Sequence, residues 1–201
     1  MALTFSGRIS FKVDILTQKE RKELLNIARL SLECGIEEHR SYSPDLKEVS
    51  PNLTKPGASF CTLKRDGQLR GCIGTLEPYQ ALVIDVAENA FASGFRDSRF
   101  ESLVFAELES VSIELSVLGE LAPIQNMGDT ELQAYLLHSK PGIVLQKGDH
   151  RATFLPSVWS SLPEPSRFLE ELKKKAGLSA KEDSLSIDYY EYSVEKFAEE
   201  L

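Results

Sequence analysis

A cysteine, an arginine and two glycines fall within the heptapeptide Leu69-Arg70-Gly71-Cys72-Ile73-Gly74-Thr75. A thiolate is a strong nucleophile, and a neighbouring cation favours it. If the segment is a strand, alternation puts Arg70, Cys72 and Gly74 on one face and Gly71, Ile73 and Thr75 on the other. Arg70 and Cys72 then stand together as a thiol beside its cation. Glycine weakens a strand interior and marks a bulge or a close backbone approach. Gly71 and Gly74 therefore imply that a ligand, or another part of a protein, packs tightly here. A plainer reading stands beside this one: a free cysteine is more often a small buried hydrophobe.

Three further positions carry charge where it can act. Asp97 and Arg99 lie in a loop after Gly94, two residues apart. They either tie that loop together or present the planar guanidinium to a carboxylate or phosphate. Glu114 alternates away from Val111, Ile113 and Leu115, so it points outward, either as a solvated charge or as the lining of a cleft beside Cys72. The histidines, His39, His138 and His150, show neither HxH nor HExxH spacing, so no metal site is expected. P-loop and Rossmann glycine patterns are absent too, and no cofactor is implied.

The elements that must position these residues are legible. Residues 17–38 read as a helix: Thr17 followed by Glu20 is a capping box, and Gly35 marks the expected end. Residues 39–57 read as a loop. Residues 58–64 and 69–75 form a hairpin around Asp66-Gly67, a turn pair that accepts positive φ. A helix over 78–94 and an alternating strand over 109–118 follow. The second half repeats the order: a helix over 129–138, a hairpin over 142–146 and 151–155, a helix over 165–176 ending at Gly177, and a strand over 185–194. Trp159 and Tyr189, Tyr190 and Tyr192 read as core. The run Lys173-Lys174-Lys175 reads as a solvated helix face. The fold class is therefore α+β, with mainly antiparallel sheets in two packed lobes, each built on a hairpin–helix–strand unit, plus an N-terminal helix. The best internal boundary is 119–128, giving lobes of about 1–120 and 121–201.

A formal net charge of −8 disfavours non-specific nucleic-acid binding, which rests on neutralising phosphates. Cys34, Cys61 and Cys72 form no CxxC pair, and free thiols suit a reducing cytosol. Residues 1–11 lack a signal peptide's apolar core, and no apolar run approaches a membrane span. The expectation is a soluble cytoplasmic protein.

The heptapeptide 69–75 resembles the signature of the AMMECR-type family, protein A of the AmmeMemoRadiSam system. Asp97-Ser98-Arg99-Phe100 is similar to that family's Asp-x-Arg-Phe motif. Residues 113–118 resemble its Ile-Glu-x-Ser-Val-Leu strand, and 142–143 with 152–159 resemble its second hairpin. The resemblance implies one AMMECR-type unit over 1–201, in which a larger lobe holds both termini and a cleft exposes the signature strand. It also implies association with Memo-type and radical-SAM proteins in a modification pathway. Two functions stay open. One is an enzyme or enzyme component with Cys72 as nucleophile or thiol ligand, Arg70 and Arg99 holding an anion, and Gly71, Gly74, Thr75, Asp97 and Glu114 around the substrate. The other is a non-catalytic adaptor whose glycines admit a partner's backbone.

Overall fold

Thr17 accepts a hydrogen bond from the Glu20 amide while the Glu20 carboxylate accepts from Thr17 N, 2.7 Å away, so the expected capping box starts the first helix. The structure is a computed structural model that describes residues 16–199; the reading of residues 1–11 lies outside them. In chain order the elements are α1 (Gln18–Glu38), β1 (Pro56–Gly57), β2 (Ser59–Arg65), β3 (Gln68–Gly74), β4 (Gln80–Ala81), α2 (Leu82–Phe95), β5 (Val111–Leu118), β6 (Ala122–Pro123), α3 (Asp129–Ser139), β7 (Gly142–Lys147), β8 (His150–Phe154), α4 (Pro165–Lys175), β9 (Asp188–Tyr192) and β10 (Val194–Ala198). The α+β reading holds, with every described strand pair antiparallel.

Two four-stranded sheets have the orders β10-β5-β2-β3 and β6-β9-β7-β8. β2 and β5 alternate buried and half-buried positions along their length. The buried side, with Leu63, Ile113 and Leu115, packs with Leu24, Leu32, Val86 and Ala90 of α1 and α2. The other side of the sheet stays half-open. The second sheet has its own core, in which Phe168 stacks on Trp159 at 3.8 Å. At the first hairpin, Asp66 (φ 51) and Gly67 (φ 74) adopt the two positive-φ conformations the Asp-Gly signal requires.

Several expectations are corrected. Gly35 does not end α1, which runs to Glu38 and stops at His39 in the left-handed conformation. Gly35 is instead a contact point, because a Cβ there would lie 2.1 Å from the Phe95 ring. The second helix starts at Leu82 rather than 78, since Gln80–Ala81 are drawn into a short ladder with Pro56–Gly57. The last strand breaks at Ser193 and changes sheets: β9 pairs with β7, and β10 crosses back to β5. Residues 194–198 thus belong to the first sheet, not with 121–193. The lysine run is a solvated face only in part, since Lys174 and Lys175 are exposed and Lys173 is not. Lys173 is buried, bonded to Asp129 and the Glu182 carbonyl, and Lys175 donates to the Thr153 carbonyl. Among the described residues no helix is long and apolar enough to cross a membrane.

Gly35→Ala tests the α1–α2 contact. It is expected to displace Phe95 and cost about 1–3 kcal/mol, as overpacking does. Urea unfolding measures it, and an unchanged midpoint would contradict the contact.

Candidate functional site

β3 is an edge strand, so its outer backbone groups need partners from outside the sheet. At Cys72 the loop after α2 supplies them, while α2 itself packs over the sheet and reaches into the hairpin. Asp85, Asn89, Ser93 and Asp97 recur at every fourth residue, which places the three helical ones along one stripe. Asp97 Oδ2 accepts from the Cys72 amide at 2.8 Å. The Ser93 hydroxyl accepts from the Ile73 amide (2.9 Å) and donates to the Cys61 carbonyl (2.8 Å), so it bridges two residues paired across the hairpin. Asn89 Nδ2 donates to Thr75 Oγ1 (2.8 Å) and to the Ser59 carbonyl (3.1 Å). Asp85, fully buried, accepts from the hydroxyls of Thr75 and Ser59. Burial pushes its carboxyl upward, against the pull of those hydroxyls.

This intimacy accounts for the glycines. A Cβ at residue 71 would sit 2.1 Å from the Ser93 carbonyl oxygen, and one at 74 would sit 2.3 Å from the Phe60 ring. Gly71 and Gly74 are therefore occupied by the protein's own helix and hairpin partner, not held open for a foreign backbone.

Asp97 and Arg99 together grip the backbone of one residue of the strand. Arg99 forks onto Asp97 (Nε–Oδ1 2.9 Å, Nη2–Oδ2 2.7 Å), and Nη2 also donates to the Cys72 carbonyl at 3.2 Å. Asp97 holds the Cys72 N–H and Arg99 its C=O, which gives the Asp-x-Arg spacing a geometric meaning. The Arg99 guanidinium, against the opposing effect of burial, holds the Asp97 carboxyl well below the usual carboxylate range. The Asp97 side chain is only 4% exposed, whereas that of Arg99 is 54% exposed, so the outer side of the guanidinium faces solvent.

Arg70 does not join Cys72. The ladder shifts register between Leu63 and Lys64, leaving Arg70 outside the regular pairing. Its fork closes on Glu107 with two 2.9 Å bonds. Arg70, against burial, brings the Glu107 carboxyl down to about 2. At 14% side-chain exposure Arg70 clamps the hairpin to residues 104–107.

On the half-open face, Cys72, Thr62 and Glu114 form one row across β3, β2 and β5. Cys72 is half-buried, and Thr62 Oγ1 donates to its Sγ at 3.4 Å. Burial raises the Glu114 carboxyl, and Lys196 (2.7 Å) and Lys64 (3.0 Å) outweigh it, leaving the group below its ordinary value. Glu114 is two strand spacings from Cys72, roughly 9–10 Å. The structure thus gathers Cys72, Asp97 and Arg99, sets Glu114 in the same row, and sends Arg70 elsewhere. Thr75 belongs to the buried Asp85–Asn89 network. The sequence reading missed Asp85, Asn89 and Ser93; their four-residue spacing within an otherwise apolar helix was the available signal. Among the described residues no group of three or more His, Cys, Asp or Glu is placed to hold a metal ion.

A family model described as AMMECR1 matches residues 25–197. A protein of Aeropyrum pernix is 34% identical over 172 residues, covering 81% of this chain and 71% of that protein. A protein of Methanosarcina mazei is 30% identical over 171 residues, covering 82% and 84%. The crystal structure of the uncharacterized protein PH0010 from Pyrococcus horikoshii matches with a TM-score of 0.77 at 27% identity, over 92% of this chain and 94% of that one.

Asp97 has a folded-state carboxyl depressed below its unfolded value. Its contribution is therefore complete above the unfolded value, about pH 4, and is lost as pH falls toward the folded one. Asp97→Asn is expected to lower the unfolding free energy by about 2–3 kcal/mol at neutral pH. Urea melts of both proteins should show that gap narrowing between pH 5 and pH 2. A gap independent of pH would contradict the grip.

Proposed function

The chain belongs to the AMMECR1 family, and we propose that it is a cytoplasmic enzyme, or the working component of one, acting through the Cys72 thiol on the half-open face of the first sheet. The observation that carries this reading is Arg99: Asp97 fixes its fork, Nη2 reaches the Cys72 carbonyl, and over half of its side chain meets solvent. A pre-oriented guanidinium beside a thiol suits a substrate that carries a carboxylate or phosphate near an electrophilic centre. Cys72 serves as nucleophile or thiol ligand, Arg99 receives the anion, Asp97 orients Arg99, and Thr62 donates to the sulfur. Lys64 and Lys196 surround Glu114 at the far end of the row that Cys72 begins. The pathway is the Memo- and radical-SAM-associated modification that the family association suggests, with proteins of those two types as partners.

One observation favours a second reading, the adaptor. Leu69, Val104 and Phe105 are exposed, Phe105 by 75%, and the Arg70–Glu107 clamp joins their segments. Exposed apolar side chains in one neighbourhood suit a partner surface.

Limited alkylation at neutral pH separates the two. Burial drives the Cys61 thiol far up and raises that of Cys34. With iodoacetamide and peptide mass analysis, Cys72 is expected to react about tenfold faster than Cys34, and Cys61 last. Arg99→Gln should slow Cys72 specifically. If Cys72 reacts no faster than Cys34, and Cys72→Ser keeps pathway activity, the enzyme reading fails and the adaptor stands.

A further inference from the structure

Two strands carry the chain from one sheet to the other. β5 leads into β6 across residues 119–121, and β9 leads into β10 across Ser193, the two crossings joined by a bond from Gly119 N to the Ser193 carbonyl at 2.9 Å. Beside this ribbon lies a cavity of about 280 Å³. Leu76, Pro78 and Leu118 wall it from the first sheet's side, and Val144, Ala152 and Tyr192 from the second's. Two hydroxyls at its wall are already committed: Thr153 Oγ1 to the Ile143 carbonyl, and Tyr192 OH to Thr153 and the Phe154 carbonyl. The charged lining groups are Arg151, Glu77 and Glu120.

Arg151 and Glu77 face each other from opposite sides of the cavity at 2.8 Å, with side-chain exposures of 39% and 62%. An ion pair that exposed adds little stability, so a ligand displaces it at small cost. A simple anion would take Arg151 but leave Glu77 and Glu120 against it. A simple cation would take the carboxylates but leave Arg151. A zwitterion meets both signs, with its carboxylate on the guanidinium fork and its ammonium on Glu77 and Glu120.

We infer that the cavity between the sheets, closed at its mouth by Arg151 and Glu77, binds a small zwitterion with an apolar body, of the class of apolar α-amino acids. The body fills the aliphatic and tyrosine-lined space, and its two charges replace the Arg151–Glu77 pair. The volume lies just below the usual range for ligand pockets, which suits one residue-sized molecule. This site does not rest on the reading of Cys72, whose heptapeptide contributes no residue to the cavity lining.

The test is an NMR titration of the full chain with three probes: L-phenylalanine, 3-phenylpropionate, which lacks the ammonium, and phenethylamine, which lacks the carboxylate. L-Phenylalanine is expected to shift the amides of Val144, Ala152 and Leu118, with each single-charge probe at least about tenfold weaker, the worth of one charge-assisted bond. Arg151→Gln should reduce L-phenylalanine to the level of phenethylamine, and Glu77→Gln should weaken it relative to 3-phenylpropionate. Both side chains are exposed, so the variants should melt as the parent does, and the amide spectra show this directly. Equal shifts from all three probes, or no shift at these amides with any of them, would overturn the inference.

Discussion

An edge strand whose outward backbone groups are satisfied by side chains rather than by another strand is the constraint on which the first sheet depends. β3 has one neighbour, β2; Asp97, in the loop after α2, meets its outer edge, while α2 itself lies over the buried face of the sheet. A buried amide without a partner costs about 1–3 kcal/mol. Asp97 meets that demand at the Cys72 amide, the Ser93 hydroxyl fills the gap between the paired Ile73 and Cys61 inside the hairpin, and Asn89 and Asp85 secure Thr75. To reach the strand, the helix must come to contact distance, and only glycine at residue 71 allows the Ser93 carbonyl so close. The heptapeptide signature and the four-residue polar spacing are thus two sides of one contact.

That contact also sets the chemistry available. With its amide on Asp97 and its carbonyl on Arg99, Cys72 cannot turn toward the helices, and its thiol is presented on the half-open face beside Thr62. Arg99 does two things at once: it completes the grip and offers its remaining surface to solvent. Arg70 has no such freedom, because Glu107 consumes its fork. The division of labour between the arginines follows from burial and pairing: a half-exposed fork remains available to an anion, while a sunken bidentate one serves structure.

Much of this was legible in the residues. The capping box at Thr17, the Asp66-Gly67 turn and the alternation of β5 each rest on local geometry, and each appears where expected. What failed depended on distant partners. Gly35 looked like a helix stop because its tertiary neighbour, Phe95, lies far along the chain. The pairing of Arg70 with Cys72 assumed unbroken alternation, and one register shift undid it. Lys173 reads as solvent-facing, yet Asp129 and the Glu182 carbonyl receive it in the interior. The strand over 185–194 was one continuous pattern in sequence, yet it divides at Ser193 to join two sheets. At the candidate site, the residues with chemical character were visible, whereas Ser93 and Asn89, which hold the strand in place, carried no signal beyond spacing.

Native-state hydrogen exchange at the Cys72 and Ile73 amides tests the central claim most directly. An exposed edge strand exchanges through small local openings, whereas an amide held by a buried carboxylate or a hydroxyl bridge opens only with its surroundings. The account predicts that both amides exchange as slowly as the core of β2 and β5. Exchange at the rate of a frayed edge, with β2 still protected, would contradict it.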